Sequence, residues 1–201
     1  MGTKSKLIVG LGNPGREYEH TYHNAGVLFV SQFAQDTSRT MRHPLFIARR
    51  LHGEITTGGG NSRLKAGYHL FAVQPLTGMN ESGRAIRAAL KSLGGKAYDL
   101  VVAHDDSDIA LGRYKISFNR GAAGHHGVES VIRALRSKRF WRLRIGIRKN
   151  AAKAGELVLK KITAKDGELL QLVFAALTKK LREKEKSGFT SSMGNSTRSN
   201  A

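Results

Sequence analysis

Two polar clusters, each following an apolar run, carry the residue types that activate a nucleophile. The first is Asn13, Tyr18, His20, His23 and Asn24, downstream of Leu7-Ile8-Val9. The second is His104-Asp105-Asp106-Ser107-Asp108, downstream of Leu100-Val101-Val102. If both runs are strands of one sheet, both clusters lie beyond C-terminal strand ends, where open α/β sheets place their ligands. His23 with Asp105 at its Nδ1 would then form a general base, because a carboxylate there fixes the tautomer and stabilises the imidazolium that forms. The same residues fit other chemistry. Asp105, Asp106 and Asp108 offer oxygen ligands for Mg²⁺, as in a metal-dependent nuclease. His20-x-x-His23 and His125-His126 could together hold zinc, although neither cysteine nor a His-Glu-x-x-His frame supports it. An acidic loop can also be merely solvated, and a single histidine is more often structural than catalytic.

Gly10-x-Gly12-x-x-Gly15 has the spelling of a dinucleotide fingerprint, but that fingerprint opens a helix directly so that the helix N-terminus holds a pyrophosphate. Here Pro14 stiffens the loop, and helical periodicity resumes only near Asn24. Asp36, placed where a ribose-binding acid would be sought, falls within that helix or at its end rather than after a second strand. Two further patches approach the same rim. Gln74 to Gly83 leads from a strand into a helix, with Asn80 either an N-cap or an amide that orients substrate or water. Arg120 to Gly127 is a small-residue loop before a helix, suited to close approach of a nucleic-acid backbone.

The elements that must position these residues read as an alternation. Strand-like runs are Leu7 to Gly10, Phe46 to Ile55, His69 to Val73, Leu100 to Ala103, Arg113 to Phe118 and Trp141 to Ile147. Helix-like runs are Asn24 to Asp36, Glu81 to Leu93, Gly127 to Ser137, a short amphipathic piece from Gly155 to Lys161, and Asp166 to Lys186. In the last, Leu169, Leu170, Leu172, Val173, Ala176, Leu177 and Leu181 form one stripe, and Thr163 is positioned to cap it. Interleaved strands and helices predict a single three-layer α/β/α domain with a mixed, mostly parallel twisted sheet over residues 1–186. Residues 187–201 are small and polar and read as a disordered tail.

Composition narrows the partners. The chain has 201 residues, 34 Lys and Arg against 15 Asp and Glu, a net charge of +19, and no cysteine. Disulfide and thiolate chemistry are thereby excluded. From Gly112 to Lys161 there are 14 Lys or Arg and only Glu129 and Glu156 as acids, a one-sided excess that points to a polyanion. Lys115, Arg133, Arg136, Lys138, Arg139, Arg142, Arg144 and Arg148 offer phosphate contacts, which position a substrate without reading its sequence. The start of the chain has no apolar leader, strand one begins by Lys6 or Leu7, and no segment reaches the apolar length of a membrane span. The expectation is a soluble, monomeric protein at work in the cytoplasm, with an organelle left open and no membrane partner.

Read together, the motifs resemble those of the bacterial-type peptidyl-tRNA hydrolases through nearly the whole core. GLGNPGREYEHTYHNAG is similar to that family's GLGNPG…Y…TRHNxG, GMNESG to FMNxSG, VVAHDDSDIALG to VxHDELDLPxG, and RGAAGHHGVESVI to GGxxGHNGLKSI, while RLRIGI is identical to a family strand motif. The resemblance implies that His23 activates water, that Asp105 orients it, and that Asn13 and Asn80 hold the peptide carbonyl and the water. Tyr18 and Met79 would line the channel for the terminal nucleotide and peptide, Asn24 would support the His23 loop, and His125 and His126 would face the substrate. It implies hydrolysis of the ester between a peptide and the 3′-terminal ribose of tRNA, recycling prematurely released peptidyl-tRNA, with no cofactor and no metal. The partner is the acceptor stem and 3′ end. A non-catalytic RNA-binding relative is the alternative. The chain departs from the family pattern at Tyr22 (Arg), Gly78 (Phe), Asp106 (Glu), His126 (Asn) and Ser117, where a lysine clamps the tRNA 5′-phosphate. Lys115, Arg120 and Arg144 are candidates for that clamp, with Arg142 beside them.

Overall fold

A computed structural model describes residues 4–35, 37–51, 68–149, 157–187 and 197–198. The strands are β1 (Lys4–Gly10), β2 (Thr37–His43), β3 (Phe46–Leu51), β4 (Tyr68–Pro75), β5 (Leu100–Ala110), β6 (Tyr114–Phe118), β7 (Trp141–Arg148) and β8 (Thr197–Arg198). The helices are α1 (Ala25–Phe33), α2 (Ser82–Leu93), α3 (His126–Leu135) and α4 (Ala164–Ser187). They form one mixed sheet in the order β2-β3-β4-β1-β5-β7-β6-β8. The four central strands run parallel, and both flanks are antiparallel.

The central strands are apolar on both faces because helices cover both. Ile8, Val101, Ala103, Leu143 and Ile145 pack with Phe29, Val30 and Phe33 of α1 and with Leu170, Val173, Phe174 and Leu177 of α4. On the opposite face Leu7, Val9, Leu100 and Val102 meet Ile86, Ala89 and Leu90 of α2 and Val128 and Val131 of α3. Each fully buried leucine or valine contributes roughly 1.5–3 kcal/mol from apolar burial, so these two layers fix the strand order that brings the rim residues together. Thr163 caps α4 as expected: its Oγ1 accepts from the Asp166 N–H at 3.3 Å and its hydroxyl donates to Asp166 Oδ2 at 2.7 Å.

Several elements differ from the sequence reading. β2 was not expected; Thr37–His43 is a polar edge strand whose Met41 alone is strongly apolar, and it is held by its antiparallel ladder to β3. The run from Phe46 ends at Leu51, and residues 52–55 of the expected strand lie outside the described residues, as do Asp36 and residues 155 and 156. Leu169 and Leu172 of the expected stripe face outward, being 36% and 69% exposed. The largest difference is β5, which runs on to Ala110 instead of stopping at Ala103. Parallel β7 continues beside it, pairing Asp105 with Ile145 and Asp106 with Gly146, so the acidic segment is strand rather than loop. Beyond α4, Thr197 and Arg198 pair with Lys115 and Tyr114 at the edge of β6.

The glycines at the end of β1 serve packing. A Cβ on Gly10 would lie 2.3 Å from the Gly26 carbonyl oxygen, and one on Gly26 would lie 2.3 Å from the Ala103 oxygen. The N-terminal turn of α1 therefore rests directly on β1 and β5. That contact sets the depth of the loop carrying His23.

Candidate active site

His23 sits in a single 3₁₀ turn, Tyr22–Asn24, immediately before α1. Its neighbours bolt the turn down on both sides. Asn24 is buried, its Oδ1 accepting from the Asn13 N–H at 2.8 Å and its Nδ2 donating to the Asn13 carbonyl at 2.9 Å. The His23 N–H donates to the Val158 carbonyl at 2.8 Å. Held so, His23 Nδ1 lies 2.9 Å from Asp105 Oδ1. The two clusters, far apart in sequence, meet at the ends of adjacent strands β1 and β5.

Asp105 has a second partner that spacing did not reveal. His125 Nε2 lies 3.0 Å from the same Oδ1, and the His23 and His125 rings are 5.0 Å apart. The other nitrogen of His125 caps α3: Nδ1 accepts from the Gly127 N–H at 3.1 Å and the Val128 N–H at 3.3 Å. A nitrogen that accepts from two amides carries no proton, so the proton of neutral His125 is on Nε2 and donates to Asp105. Asp105 as a carboxylate has only lone pairs, so His23 donates from Nδ1 and presents the lone pair of Nε2 as a base. Burial pushes the Asp105 carboxyl upward, but the interactions with His125 and His23 outweigh it and hold it well below the usual carboxylate range. The His23 side chain is 13% exposed against 4% for Asp105, so the imidazole reaches the surface and the carboxylate does not.

His104 lies beneath this pair. It is buried, its Nδ1 is 2.6 Å from the Asp105 carbonyl oxygen, and its ring stands edge-on to His125 with centroids 4.7 Å apart. Burial, and then the neighbouring His125, push its pKa well below the ordinary histidine value. It is a neutral floor for the site.

Asn13 Oδ1 accepts from the Met79 N–H at 2.8 Å, which leaves the amide NH₂ as that side chain's donor. Met79 is buried, while Asn80 is exposed on the 3₁₀ turn Met79–Glu81 and does not cap α2. Tyr18 is half-buried at the end of a turn, Arg16–Tyr18. His126 points outward, its side chain 74% exposed with Nδ1 3.9 Å from Glu129.

The basic residues divide. Lys115 and Arg120 are exposed. Arg144 Nε donates to Asp106 Oδ2 at 2.6 Å. Arg142, expected among the phosphate contacts, is placed otherwise: it is 2% exposed and donates from Nη1 to the Gly121 carbonyl at 2.6 Å. Burial, then repulsion from Arg144 and Arg120, pull its pKa down to about 10. Its reach is spent on the loop.

Two cation readings lose ground on this geometry. Asp106 is committed to Arg144 and to the Asp108 N–H, and Asp105 to two histidines, so the three aspartates do not converge as a Mg²⁺ set. His23, Asp105 and His125 do bring ligand atoms within 4.8 Å of one another. A cation there would need the lone pair of His125 Nε2, and hence a tautomer that abandons both bonds to α3. His20 and His126 are exposed and lie outside this group.

A histidine hydrogen-bonded to a buried carboxylate at the C-terminal rim of a doubly covered α/β sheet is an arrangement able to activate a nucleophile. Comparison with known proteins narrows the class: the family described as Peptidyl-tRNA hydrolase matches residues 7–201, and the chain belongs to it. The peptidyl-tRNA hydrolase of Synechococcus sp. (strain CC9605) is 41% identical over 148 residues, covering 73% of this chain and 67% of that protein. That of Parasynechococcus marenigrum (strain WH8102) is 42% identical, covering 73% and 68%. Among solved structures, peptidyl-tRNA hydrolase from Acinetobacter baumannii superposes with a TM-score of 0.74 at 30% identity, covering 88% of this chain and 86% of that one.

Proposed function

We propose that this chain hydrolyses the ester joining a peptide to the 3′-terminal ribose of peptidyl-tRNA, with His23 as general base. Family membership supplies the reaction class, and the single observation that carries the mechanism is the 2.9 Å contact between His23 Nδ1 and Asp105 Oδ1. Water bound at His23 Nε2 gives up its proton as its oxygen attacks the ester carbonyl carbon. The carbon–oxygen bond to the 3′ oxygen then breaks, the ribose oxygen takes a proton, and the peptide leaves with a carboxyl terminus. Neutral water is a poor nucleophile, so a base titrating near working pH is what the step requires. The free NH₂ of Asn13 and the exposed Asn80 amide hold the carbonyl and the water, and steady the oxyanion that develops. Tyr18 and Met79 line the path of the terminal nucleotide and peptide, Asn24 keeps the base loop in place, and His125 and His126 border the substrate. Lys115, Arg120 and Arg144 meet the acceptor-stem phosphates, and Arg142 supports them by shaping the Gly121 loop. The protein acts as a monomer on tRNA shed from ribosomes in the cytoplasm.

The test is release of peptide from N-blocked aminoacyl-tRNA by purified protein in EDTA, with the RNA strand examined for cuts. Release with intact RNA is expected. RNA cleavage that needs Mg²⁺, or tRNA bound tightly with its ester untouched, would overturn the proposal.

A further inference from the structure

His23 is flanked by two buried residues, and only one of them, Asn24, is held by the rim of the sheet. The other, Tyr22, stands where the family's motif has arginine. Its ring is 1% exposed, and its hydroxyl donates to Asp166 Oδ2 at the first turn of α4. The same carboxylate, 6% exposed, takes the Thr163 hydroxyl at 2.7 Å and forms an ion pair with Lys149 at the end of β7. The Lys149 ammonium also lies over the Tyr22 ring, 5.3 Å from its centroid. The backbone follows the same path: the Tyr22 N–H donates to the Lys160 carbonyl, and Thr21 bridges to Lys161.

A buried carboxylate stays ionised only if its charge is matched and its lone pairs filled. A tyrosine fills a lone pair but brings no charge; in this chain the cation comes from another strand. Burial pushes the Asp166 carboxyl up, and the hydrogen bonds from Lys149, Tyr22 and Thr163 more than offset it.

We propose that Tyr22, Asp166 and Lys149 form a positioning triad for His23, in which Lys149, just past the end of β7, supplies the charge that balances Asp166. The triad sets the height of the His23 turn above Asp105, while Asn24 sets its lateral position. None of the three touches the reacting atoms. The inference rests on His23 being the base, and it assigns Tyr22 a task that the motif departure alone did not disclose.

A double-mutant cycle tests it. Lys149→Met is expected to lower kcat about tenfold with KM within about twofold, since small displacements of a reacting group carry penalties up to ~10²-fold. Lys149→Arg keeps the charge and is expected to retain most of the rate. Tyr22→Arg places a cation on the base loop beside Asp166 and should make Lys149→Met nearly silent, so that the double variant is faster than Lys149→Met alone. Additive losses in the double variant would overturn the triad. So would a Lys149→Met protein that melts earlier yet keeps its kcat, because that is a purely structural role. A second measurement separates this proposal from the functional one. NMR titration of the His23 ring needs no turnover, and its midpoint should differ between wild type and Lys149→Met, with the flanking His125 and Asp105 unchanged in sequence. An unmoved midpoint, with the cycle additive, ends the proposal even if hydrolysis is confirmed. Absence of hydrolysis with a shifted midpoint would instead strike the functional reading.

Discussion

Asp105 Oδ1 receives N–H donors from both His23 and His125, and each donor has a separable duty. Asp105→Asn replaces an acceptor-only group by an amide that must also place two protons, so neither imidazole is held in its present tautomer. We expect kcat to fall by ~10²–10⁴ with little change in tRNA affinity, the range that positioned general bases contribute. His125→Asn is the finer probe. Asparagine is among the best helix N-caps, so stability should stay within ~1 kcal/mol of wild type, but its shorter side chain no longer reaches Asp105. A variant that melts normally and hydrolyses slowly would show that the two duties of His125 are distinct; unchanged kcat would show that His23 alone suffices. At this scale the sequence was legible where chemistry-bearing types followed apolar runs: His23, Asp105, Asn13 and Asn24 come together as their placement suggested. It was not legible for His125, whose contact with Asp105 depends on the depth at which α3 begins, nor for Arg142, whose alternation with Leu143 in a basic run gave no sign that it turns inward.

Strand β5 carries both the buried Asp105 and the buried His104 beneath it, so it makes the fold sensitive to pH. The folded pKa of His104 is depressed below its ordinary value of 6.5, so the unfolded chain binds more protons there and stability falls as pH drops below about 6.5. The folded pKa of Asp105 is depressed below 3.8, so its contribution is present above that pH and is lost on further acidification. Thermal melting should therefore decline in two windows. His104→Leu should remove the first and leave the second, and a variant with the wild-type slope between pH 6.5 and 4 would contradict the assignment; these limits are roughly the unfolded values of the two groups. The extent of β5 was hidden because consecutive polar residues read as a loop; what carries the strand onward is pairing with β7 and the hydrogen-bond partners that satisfy Asp105 and Asp106. Edge strand β2 was hidden for the related reason that its alternation is mostly polar. The central strands and the amphipathic α2 and α3 were plain because burial on fixed faces imposes their periodicity.

The chain carries a net charge of +19, and among the described residues Lys115 and Arg120 stand exposed. Binding to tRNA should weaken steeply with salt, because each neutralised phosphate adds ~0.7–0.9 to the slope of log K against log salt. Lys115→Ala and Arg120→Ala, both at exposed positions, should each reduce the slope by about one such contact and leave melting unchanged. Arg142→Ala should do the reverse, lowering the melting temperature while the slope stays put, since its guanidinium is buried and bonds the Gly121 carbonyl through Nη1. A salt response that is flat, or that tracks Arg142 rather than Lys115 and Arg120, would contradict this division. Charge and composition pointed to a polyanion from the sequence alone. Which cations face outward could be read only from the sheet's register.

The role of His23 is tested by the dependence of kcat on pH for wild type and His23→Ala. Wild type should rise with pH through a single titration and then level, whereas His23→Ala should be slower by ~10²–10⁴ and lose that rise. A variant that keeps either the rate or the titration would show that some other group takes the proton from water.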